Sequence, residues 1–451
     1  MLVVISDLHL TDGTTSENVA PQAFDILKQE IVDNVRRAKA QEVQVLLLGD
    51  IFDIVRTEWW FDPAHVQPNM RPWYNIDPHT GLNTDPAAVE KQFSAVLQGV
   101  FAHAATKAFV AMLNTLPKDS NGNAPKITYV IGNHDRAINN FAALKTMIQA
   151  QLPGMNLTFA NAFSAPACGV FARHGHEWDE NCNAWLLLQN VLQPKKKWDK
   201  LDPEINKVMA IGEVITAELM SGLVYNIRKT GNAKLTEIIK GIDNLRPATD
   251  VFQFLRWQVQ GRALTDAEKK LLTDSLVAAI SGVVDSDLGK LWDRITTDIF
   301  FSGDLVDRLQ LARKAIQKIG LDGLNNCLEF FTNLGNFKDA VIVHEDDFYT
   351  HAQGEFNSLP GEIQFVLYGH THLARHDYLT GSVDSRVKMY INTGTFLPLV
   401  QRTDDGKGFA KSRQLTMAFF YADGEDKDGR AGPGPTMDLW NGIKRKEYAR
   451  A

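Results

Sequence analysis

The stretch Leu2-Val3-Val4-Ile5-Ser6-Asp7-Leu8-His9 decides the fold class of this chain. Its first part, residues 2–6, is short, apolar and rich in β-branched residues, which is typical of a buried β-strand. Asp7 and His9 follow this run at once. Because ligands gather at the carboxyl ends of strands in an open α/β sheet, the stretch predicts an α/β fold with a site at this strand end.

Four further polar clusters follow strand-like runs in the same way. In order, they are residues 49–53 (GDIFD) after 43–48, residues 132–135 (GNHD) after 127–131, residues 174–176 (HGH) after 169–173, and residues 369–372 (GHTH) after 363–368. Strand ends of one sheet meet in one crevice, so these clusters are expected to converge.

The clusters supply aspartate, asparagine and histidine, a donor set that suits hard or borderline divalent metal ions. Two ions repel each other unless an anion lies between them, and a buried carboxylate such as Asp50 can bind both. Metals about 3.5–4 Å apart can activate a water and clamp the oxygens of a displacement at phosphorus. His134, next to a ligand, is well placed to protonate the leaving group.

Composition limits the function classes. The chain has 451 residues, 44% hydrophobic and 22% charged, which is ordinary for globular proteins and excludes a disordered chain. A net charge of −7 excludes a strongly basic nucleic-acid scaffold. The three cysteines have no CxxC spacing, and no targeting segment or unbroken membrane span is visible, so we expect a cytoplasmic protein.

The chain divides into three stretches. Strand and helix patterns alternate over residues 1–176, with helices expected at 17–40 and 87–116, and strands return at 387–392 and 415–421. Helix patterns dominate residues 177–345, including a capping box at Thr265 and Glu268 and an apolar stripe from Leu305 to Ile319. We therefore predict a discontinuous domain, 1–176 and 346–435, with a helical insertion at 177–345 and a C-terminal tail at 436–451.

Residues 56–86 form a long loop with five prolines and five aromatic residues. Loops of this length inside a compact domain are usually functional or disordered, and the aromatic content argues against disorder.

Taken together, the clusters resemble, in order, the signature of the calcineurin-like metallophosphoesterases, and Asn392-Thr393-Gly394 is similar to the turn that follows the last histidines of that family. The resemblance implies a β-sandwich flanked by helices, with a dinuclear site at one edge. It does not cover the insertion, which leaves the chain just after His174 and returns just before His370, so we expect the insertion to lie over or beside the site as a cap. It implies two divalent ions, Mn first and Fe or Zn as alternatives. The ligands it implies are Asp7, His9, Asp50 and His372 for one ion, and Asp50, Asn133, His174 and His370 for the other.

The resemblance also implies that His134 is the general acid and Asp53 its orienting partner. Ile54 and Asp135 differ from the residues that follow the same motifs in the serine/threonine protein phosphatases. The motifs GDIFD and HGHEWD are most similar to the UDP-diacylglucosamine hydrolase branch. That branch commonly has arginine where His134 stands, and its helical lid is short. The resemblance therefore carries the chemistry over to this chain but not the substrate.

The expected function is hydrolysis of a phosphodiester, phosphomonoester or pyrophosphate bond by a metal-activated hydroxide. The substrate is a small molecule or a lipid- or nucleotide-linked phosphate, and peripheral contact with a membrane stays open. A metal-dependent nuclease is one alternative, because repair exonucleases of the superfamily share the histidine at position 134, although the net charge counts against it. A non-catalytic scaffold is another, and the complete ligand set counts against it.

Two residue assignments stay open in the sequence. His176 is two residues from His174 and can face the same side of a strand, although the motif favours His174. Asp135 can orient His134 in place of Asp53, or cap a helix. The histidines outside the clusters are expected to be structural or on the surface.

Two features of the insertion also have alternative readings. Its apolar runs, at residues 208–211, 219–224 and 276–284, can line a lipid pocket, but we favour the core of a helical bundle. Lys195-Lys196-Lys197 and, outside the insertion, Arg56 can meet phosphates, but we favour a solvated turn for such a charge run.

Overall fold

The computed structural model describes residues 1–118, 122–246, 250–260, 262–295, 305–318, 345–380, 387–426 and 434–444. These residues form a mixed α/β structure with two sheets. The strands are β1 (Leu2–Ile5), β2 (Gln44–Leu48), β3 (Lys126–Val130), β4 (Asn156–Ala160), β5 (Phe163–Ala165), β6 (Val170–Ala172), β7 (Phe365–Tyr368), β8 (Arg375–Thr380), β9 (Lys388–Asn392), β10 (Pro398–Arg402), β11 (Phe409–Tyr421) and β12 (Thr436–Lys444).

The first sheet has seven strands in the order β10-β11-β1-β2-β3-β4, with β12 also paired to β11. Strands β1 to β4 are parallel, and Val4 stands opposite Leu46 in the register. The second sheet has five strands in the order β5-β6-β7-β9-β8, in which β6, β7 and β9 are parallel. The carboxyl ends of β1, β2 and β3 therefore meet at one edge, as do those of β6 and β7.

Alternate residues of β1 face opposite sides of the first sheet. Leu2 and Val4 belong to an apolar cluster with Leu367 and Ile391 of the second sheet, so the two sheets pack against each other. Val3 and its neighbours on the other face belong to the larger cluster that includes the helices.

Helices cover the outer faces of both sheets. Those of the first α/β stretch are Gln22–Ala38, Pro86–Ala102, Ala104–Asn114, Arg136–Asn140 and Ala142–Gln151, and the helix Glu345–Phe356 packs on the second sheet. The single helix expected at 87–116 is two helices with a bend of 78°. The break occurs because His103 is extended, with φ −71° and ψ 144°, and its ring accepts a hydrogen bond from the Ala105 amide as a helix cap.

The insertion is helical in its described part, 177–246, 250–260, 262–295 and 305–318. Its helices and helical turns are His176–Trp178, Trp185–Leu187, Leu188–Leu192, Pro203–Lys207, Ile211–Val214, Ile215–Ser221, Gly222–Lys229, Ala233–Ile238, Ile242–Asn244, Val251–Gln260, Asp266–Val284, Asp287–Trp292 and 305–318. The predicted capping box of Thr265 and Glu268 is confirmed. The predicted stripe lies in the helix 305–318, except for Ile319, which is outside the described residues.

In its described residues, the insertion shares one apolar core with the α/β part of the chain. Leu223 and Leu276 belong to the same apolar cluster as Val45 and Leu47 of β2. The runs at 208–211 and 276–284 also contribute to this cluster, so they pack in the protein core.

One helical stretch of the insertion, Pro203–Lys229, has the length and apolar composition of a membrane span, but 78% of its most apolar window is buried in the protein. Its two buried glutamates form ion pairs with the first α/β stretch. Glu213 Oε1 lies 2.7 Å from Arg136 Nε, and Glu218 Oε1 lies 2.6 Å from Arg71 Nη1. These contacts are typical of a core helix.

The long loop at 56–86 is packed into the same core. It contains two short helical turns, Glu58–Phe61 and Pro68–Met70. Trp60 and Trp73 are fully buried, and Trp73 Nε1 donates to Glu218 at 2.7 Å. The loop therefore joins the insertion to the α/β part of the chain.

The predicted C-terminal tail, 436–451, is corrected in its first part. Strand Thr436–Lys444 pairs with β11 along its whole length, with Leu439 opposite Ala418. Met437 and Leu439 pack against the cluster between the sheets, an alternation that the sequence reading missed. Residues 445–451 lie outside the described residues.

Candidate metal centre

The nine predicted site residues converge at the edge where the strands end. Asp7 and His9 follow β1, while the others follow β2, β3, β6 and β7. Four groups of described side chains bring ligand atoms within 4.8 Å of one another, and three of them consist of predicted residues: Asp7, His9 and His372; His9, Asp50 and His134; and Asp50, His174 and His370. The fourth is Asp179, Cys182 and His370. These described residues can hold metal ions.

The backbone is strained at the predicted ligands. In the described part of the chain, seven residues other than glycine have positive φ, and five of them are Asp7 (50°), His9 (42°), Asp50 (53°), His370 (70°) and His372 (65°). Side chains disfavour this left-handed region, and such strain gathers where a site needs a particular direction of side chains.

The first group lies between β1 and β7. His9 Nε2 is 2.8 Å from His372 Nε2, and His372 Nε2 is 3.6 Å from Asp7 Oδ1. Both histidines and Asp7 are buried. These three side chains correspond to three of the four ligands expected for one ion.

The group of Asp50, His174 and His370 lies at the ends of β2, β6 and β7, next to Asn133 after β3. His174 Nε2 is 3.3 Å from Asp50 Oδ2, and His370 Nδ1 is 3.0 Å from Asn133 Oδ1. The same Asp50 oxygen is 3.6 Å from His9 Nε2 of the first group. Asp50 therefore lies between the two groups, where a bridging carboxylate is expected.

The Nδ1 atom of His174 is held by the backbone, while its Nε2 faces Asp50 Oδ2 at 3.3 Å, where a cation can lie between them. Its Nδ1 is 2.9 Å from the Leu48 carbonyl oxygen, which can only accept, so Nδ1 carries the proton. Its Nε2 is buried and has no hydrogen-bond partner among the described residues. Histidines that bind metals are held in this way, with the other nitrogen donating to a carbonyl or carboxylate.

Asp53 contacts both His9 and His134. Its Oδ2 is 2.9 Å from His9 Nδ1 and 2.9 Å from His134 Nδ1. Its Oδ1 accepts from the backbone amides of Val55 and Arg56, each at 3.0 Å. Asp53 thus fixes a predicted ligand as well as the predicted general acid, which the sequence reading assigned only in part.

Buried charges dominate the electrostatics of this centre. Burial raises the pKa of Asp7 to about 6. The charge of His174 acts to lower this pKa, and the charge of Asp50 acts to raise it. Burial also acts to raise the pKa of Asp50, but the charges of His174 and His134 lower it well below its ordinary value. Despite its burial, His174 has its pKa raised to about 10 by Asp50. Carboxylates held together away from water need compensating positive charge.

Two motif glycines let the loops approach the carboxylates closely. A Cβ atom on Gly132 would lie 2.2 Å from Asp50 Oδ1, and one on Gly369 would lie 2.4 Å from Asp7 Oδ2. This space lets the His134 amide donate to Asp50 at 2.9 Å and the His370 amide donate to Asp7 at 3.0 Å.

The structure separates the alternatives that the sequence left open. His174, not His176, reaches Asp50, because His176 Nε2 is 3.5 Å from Asn206 Oδ1 and its Nδ1 faces Glu177 at 3.6 Å. Asp135 accepts from the Tyr129 hydroxyl and the Gly132 amide, each at 2.6 Å, so it braces the loop after β3. Neither residue belongs to the three groups above.

The sequence reading missed two polar residues that contact the predicted ligands. Asp179 Oδ2 is 3.1 Å from His370 Nε2, so it holds the ring nitrogen opposite to the one that faces Asn133. Arg246 Nη2 is 2.8 Å from His372 Nδ1 and 3.0 Å from its Nε2. Asp179 stands in the quoted motif HGHEWD, whereas no local pattern marks Arg246.

Burial lowers the pKa of Arg246 to about 9, and repulsion by the charge of Arg56 acts in the same direction. The guanidinium therefore stays charged at neutral pH, next to His372.

No protein-family model matches this sequence, and no curated protein matches it either.

Proposed function

We propose that this protein is a two-metal phosphoesterase of the calcineurin-like class. The observation that carries the proposal is the arrangement around Asp50, whose Oδ2 lies 3.6 Å from His9 Nε2 and 3.3 Å from His174 Nε2. Two groups of ligands thus share one carboxylate, as a dinuclear centre requires.

In this proposal, one divalent ion is held by Asp7, His9, Asp50 and His372, and the other by Asp50, Asn133, His174 and His370. Mixed oxygen and imidazole ligands suit Mn first, with Fe or Zn as alternatives. Two such ions supply an activated water and the positive charge that stabilises the phosphoryl oxygens.

His134 supplies the proton for the leaving group. Its Nδ1 faces the Asp53 carboxylate at 2.9 Å, so the proton to be donated is on Nε2. Burial opposes ionisation of Asp53, but the charge of His134 and hydrogen bonds from His134 and His9 lower its pKa well below its ordinary value. A carboxylate that stays ionised keeps the imidazole oriented.

The two packed sheets with outer helices support the sandwich architecture of that class. The insertion acts as a cap in this proposal, because Asp179 and Arg246 reach predicted ligands from it. The apolar runs of the insertion at 208–211 and 276–284 pack in the protein core. Because these runs do not line a lipid pocket, a small phosphate ester is favoured over a lipid as the substrate.

A substrate panel with the Mn-loaded full chain tests this proposal. We expect hydrolysis of bis(p-nitrophenyl) phosphate or p-nitrophenyl phosphate, and loss of that activity in Asp50→Ala. Asp274→Ala, which removes an exposed carboxylate from helix Asp266–Val284, is the matched control and should keep the activity. Degradation of single-stranded or plasmid DNA in preference to these esters would indicate the nuclease. Binding of two metals without any hydrolysis would indicate the scaffold.

A further inference from the structure

Two arginines lie beside the candidate metal centre, and only one of them comes from the α/β part of the chain. Arg56 follows β2, and its Nε is 3.3 Å from Asp53 Oδ2. Arg246 belongs to the insertion, and its Nη2 is 2.8 Å from His372 Nδ1. The insertion therefore contributes a positive charge directly to the site.

The position of Arg246 is fixed by backbone contacts. Its amide donates to the Val400 carbonyl at 2.9 Å, next to a β-bridge between Leu245 and Val400. Its Nη1 donates to the Leu245 carbonyl at 2.7 Å. One nitrogen of the guanidinium is thus held by the backbone while the other faces the site, and the side chain is only partly buried. A ligand can therefore reach it.

Arg56 has an unused donor. Its side chain is 5% exposed, and its Nη1 is buried without a hydrogen-bond partner among the described residues. The side-chain amide of Asn244, two residues before Arg246, is also buried and unpaired in the described part of the chain. Buried donors without partners are rare and call for an acceptor.

The two guanidinium groups are close enough for their charges to oppose each other, and Asp243 offsets part of that repulsion. Asp53 joins Arg56 to His134, so Arg56 lies on the side of the proposed proton donor, while Arg246 contacts His372. Arginine donates to phosphate and carboxylate oxygens through a planar fork, and such charge-assisted bonds are stronger than neutral ones.

We propose that Arg56 and Arg246 form a subsite for a second anionic group of the substrate, a phosphate or a carboxylate adjacent to the phosphate that is cleaved. This inference rests on the proposed phosphoesterase function. It gives the insertion a role in substrate selection.

Three small probes test the subsite by calorimetry on the Mn-loaded full chain. Methylphosphonate carries one anionic group, phosphonoacetate adds a carboxylate, and methylenediphosphonate adds a second phosphonate. The metal content is measured again after each titration, because the last probe can extract metals. We expect wild type to bind at least one of the two larger probes on the order of 10–100-fold more tightly than methylphosphonate. The probe that gains more identifies the anionic group.

Arg246→Gln should remove most of this preference, measured as the ratio of the affinity for the larger probe to the affinity for methylphosphonate in the same metal-loaded variant. Lys240→Gln is the matched control, since it removes the same charge from the insertion at a side chain that is 67% exposed. Arg246→Lys keeps the charge but loses the fork, and should lose part of the preference even where Arg246→Gln fails to fold.

A folded Arg246→Gln protein with two metals and the full preference would overturn the subsite. So would a wild-type protein that binds all three probes equally, although that result would leave the phosphoesterase proposal standing. A metal-loaded wild type that binds none of the probes would overturn both proposals.

Discussion

At the scale of single residues, Asp53 contacts both a predicted metal ligand and the proposed general acid. Its Oδ2 is 2.9 Å from both His9 Nδ1 and His134 Nδ1. In the proposed site, the carboxylate therefore orients the two imidazoles together. A change at Asp53 should affect both functions, whereas a change at His134 should affect only the proton transfer.

We expect His134→Ala to keep two metals per chain and to lose about 10²–10⁴-fold in rate on alkyl phosphate esters. The loss should be much smaller on p-nitrophenyl esters, because their leaving group needs no proton. Rates on the two ester types, with elemental analysis of the variant, check this prediction. Equal losses on both leaving groups would contradict the assignment of His134 as the general acid.

Asp179 is expected to tune the affinity of the second metal through His370. Asp179→Asn weakens the charge that holds His370 Nε2, and losses of this kind typically lower metal affinity about 10–100-fold. Competition with a fluorescent chelator measures the change. The matched control is Asp274→Asn, on an exposed helix face, and it should leave the affinity unchanged. An Asp179→Asn protein with wild-type affinity would show that His370 does not depend on this contact.

Residues in local motifs could be predicted from the sequence, while partners distant in the sequence could not. Asp7 and His9 follow a strand directly, so the pattern alone indicates their position. Arg246 and His372 are separated by 126 positions, and they meet only because residue 246 docks on Val400. Nothing near Arg246 in the sequence marks that contact.

At the scale of elements, buried strands were predictable because they are short apolar runs. Six of the seven expected strands agree with the structure to within two residues at each end, and the seventh, β11, begins at Phe409 instead of 415. The break at His103 was missed, and so were strands β4, β5, β8, β10 and β12. A helix cap that depends on one imidazole leaves only a weak sequence pattern. A half-exposed edge strand also leaves a weak pattern.

The buried ion pair between Arg136 and Glu213 joins the helix after β3 to the insertion. Glu213→Ala leaves the guanidinium without its partner, so we expect a loss of about 3–5 kcal/mol in the free energy of unfolding. Urea unfolding of the full chain measures it. Asp274→Ala breaks an exposed pair with Lys270 and should change stability by about 1 kcal/mol or less. Equal effects of the two variants would show that the buried pair does not hold the insertion in place.

At the scale of the whole molecule, the two packed sheets bring five strand ends to one edge, and the insertion packs beside that edge as part of the same core. The sequence predicted the α/β class and the helical insertion. It did not predict that the insertion shares its core with the α/β part, because periodicity shows which face of a helix is buried but not what covers it.

In the proposed centre, Asp50 lies between two metal ions. Anomalous scattering from crystals grown with Mn measures this most directly. We predict two peaks about 3.5–4 Å apart, one on each side of the Asp50 carboxylate. A single peak, or two peaks that Asp50 does not contact, would contradict the account.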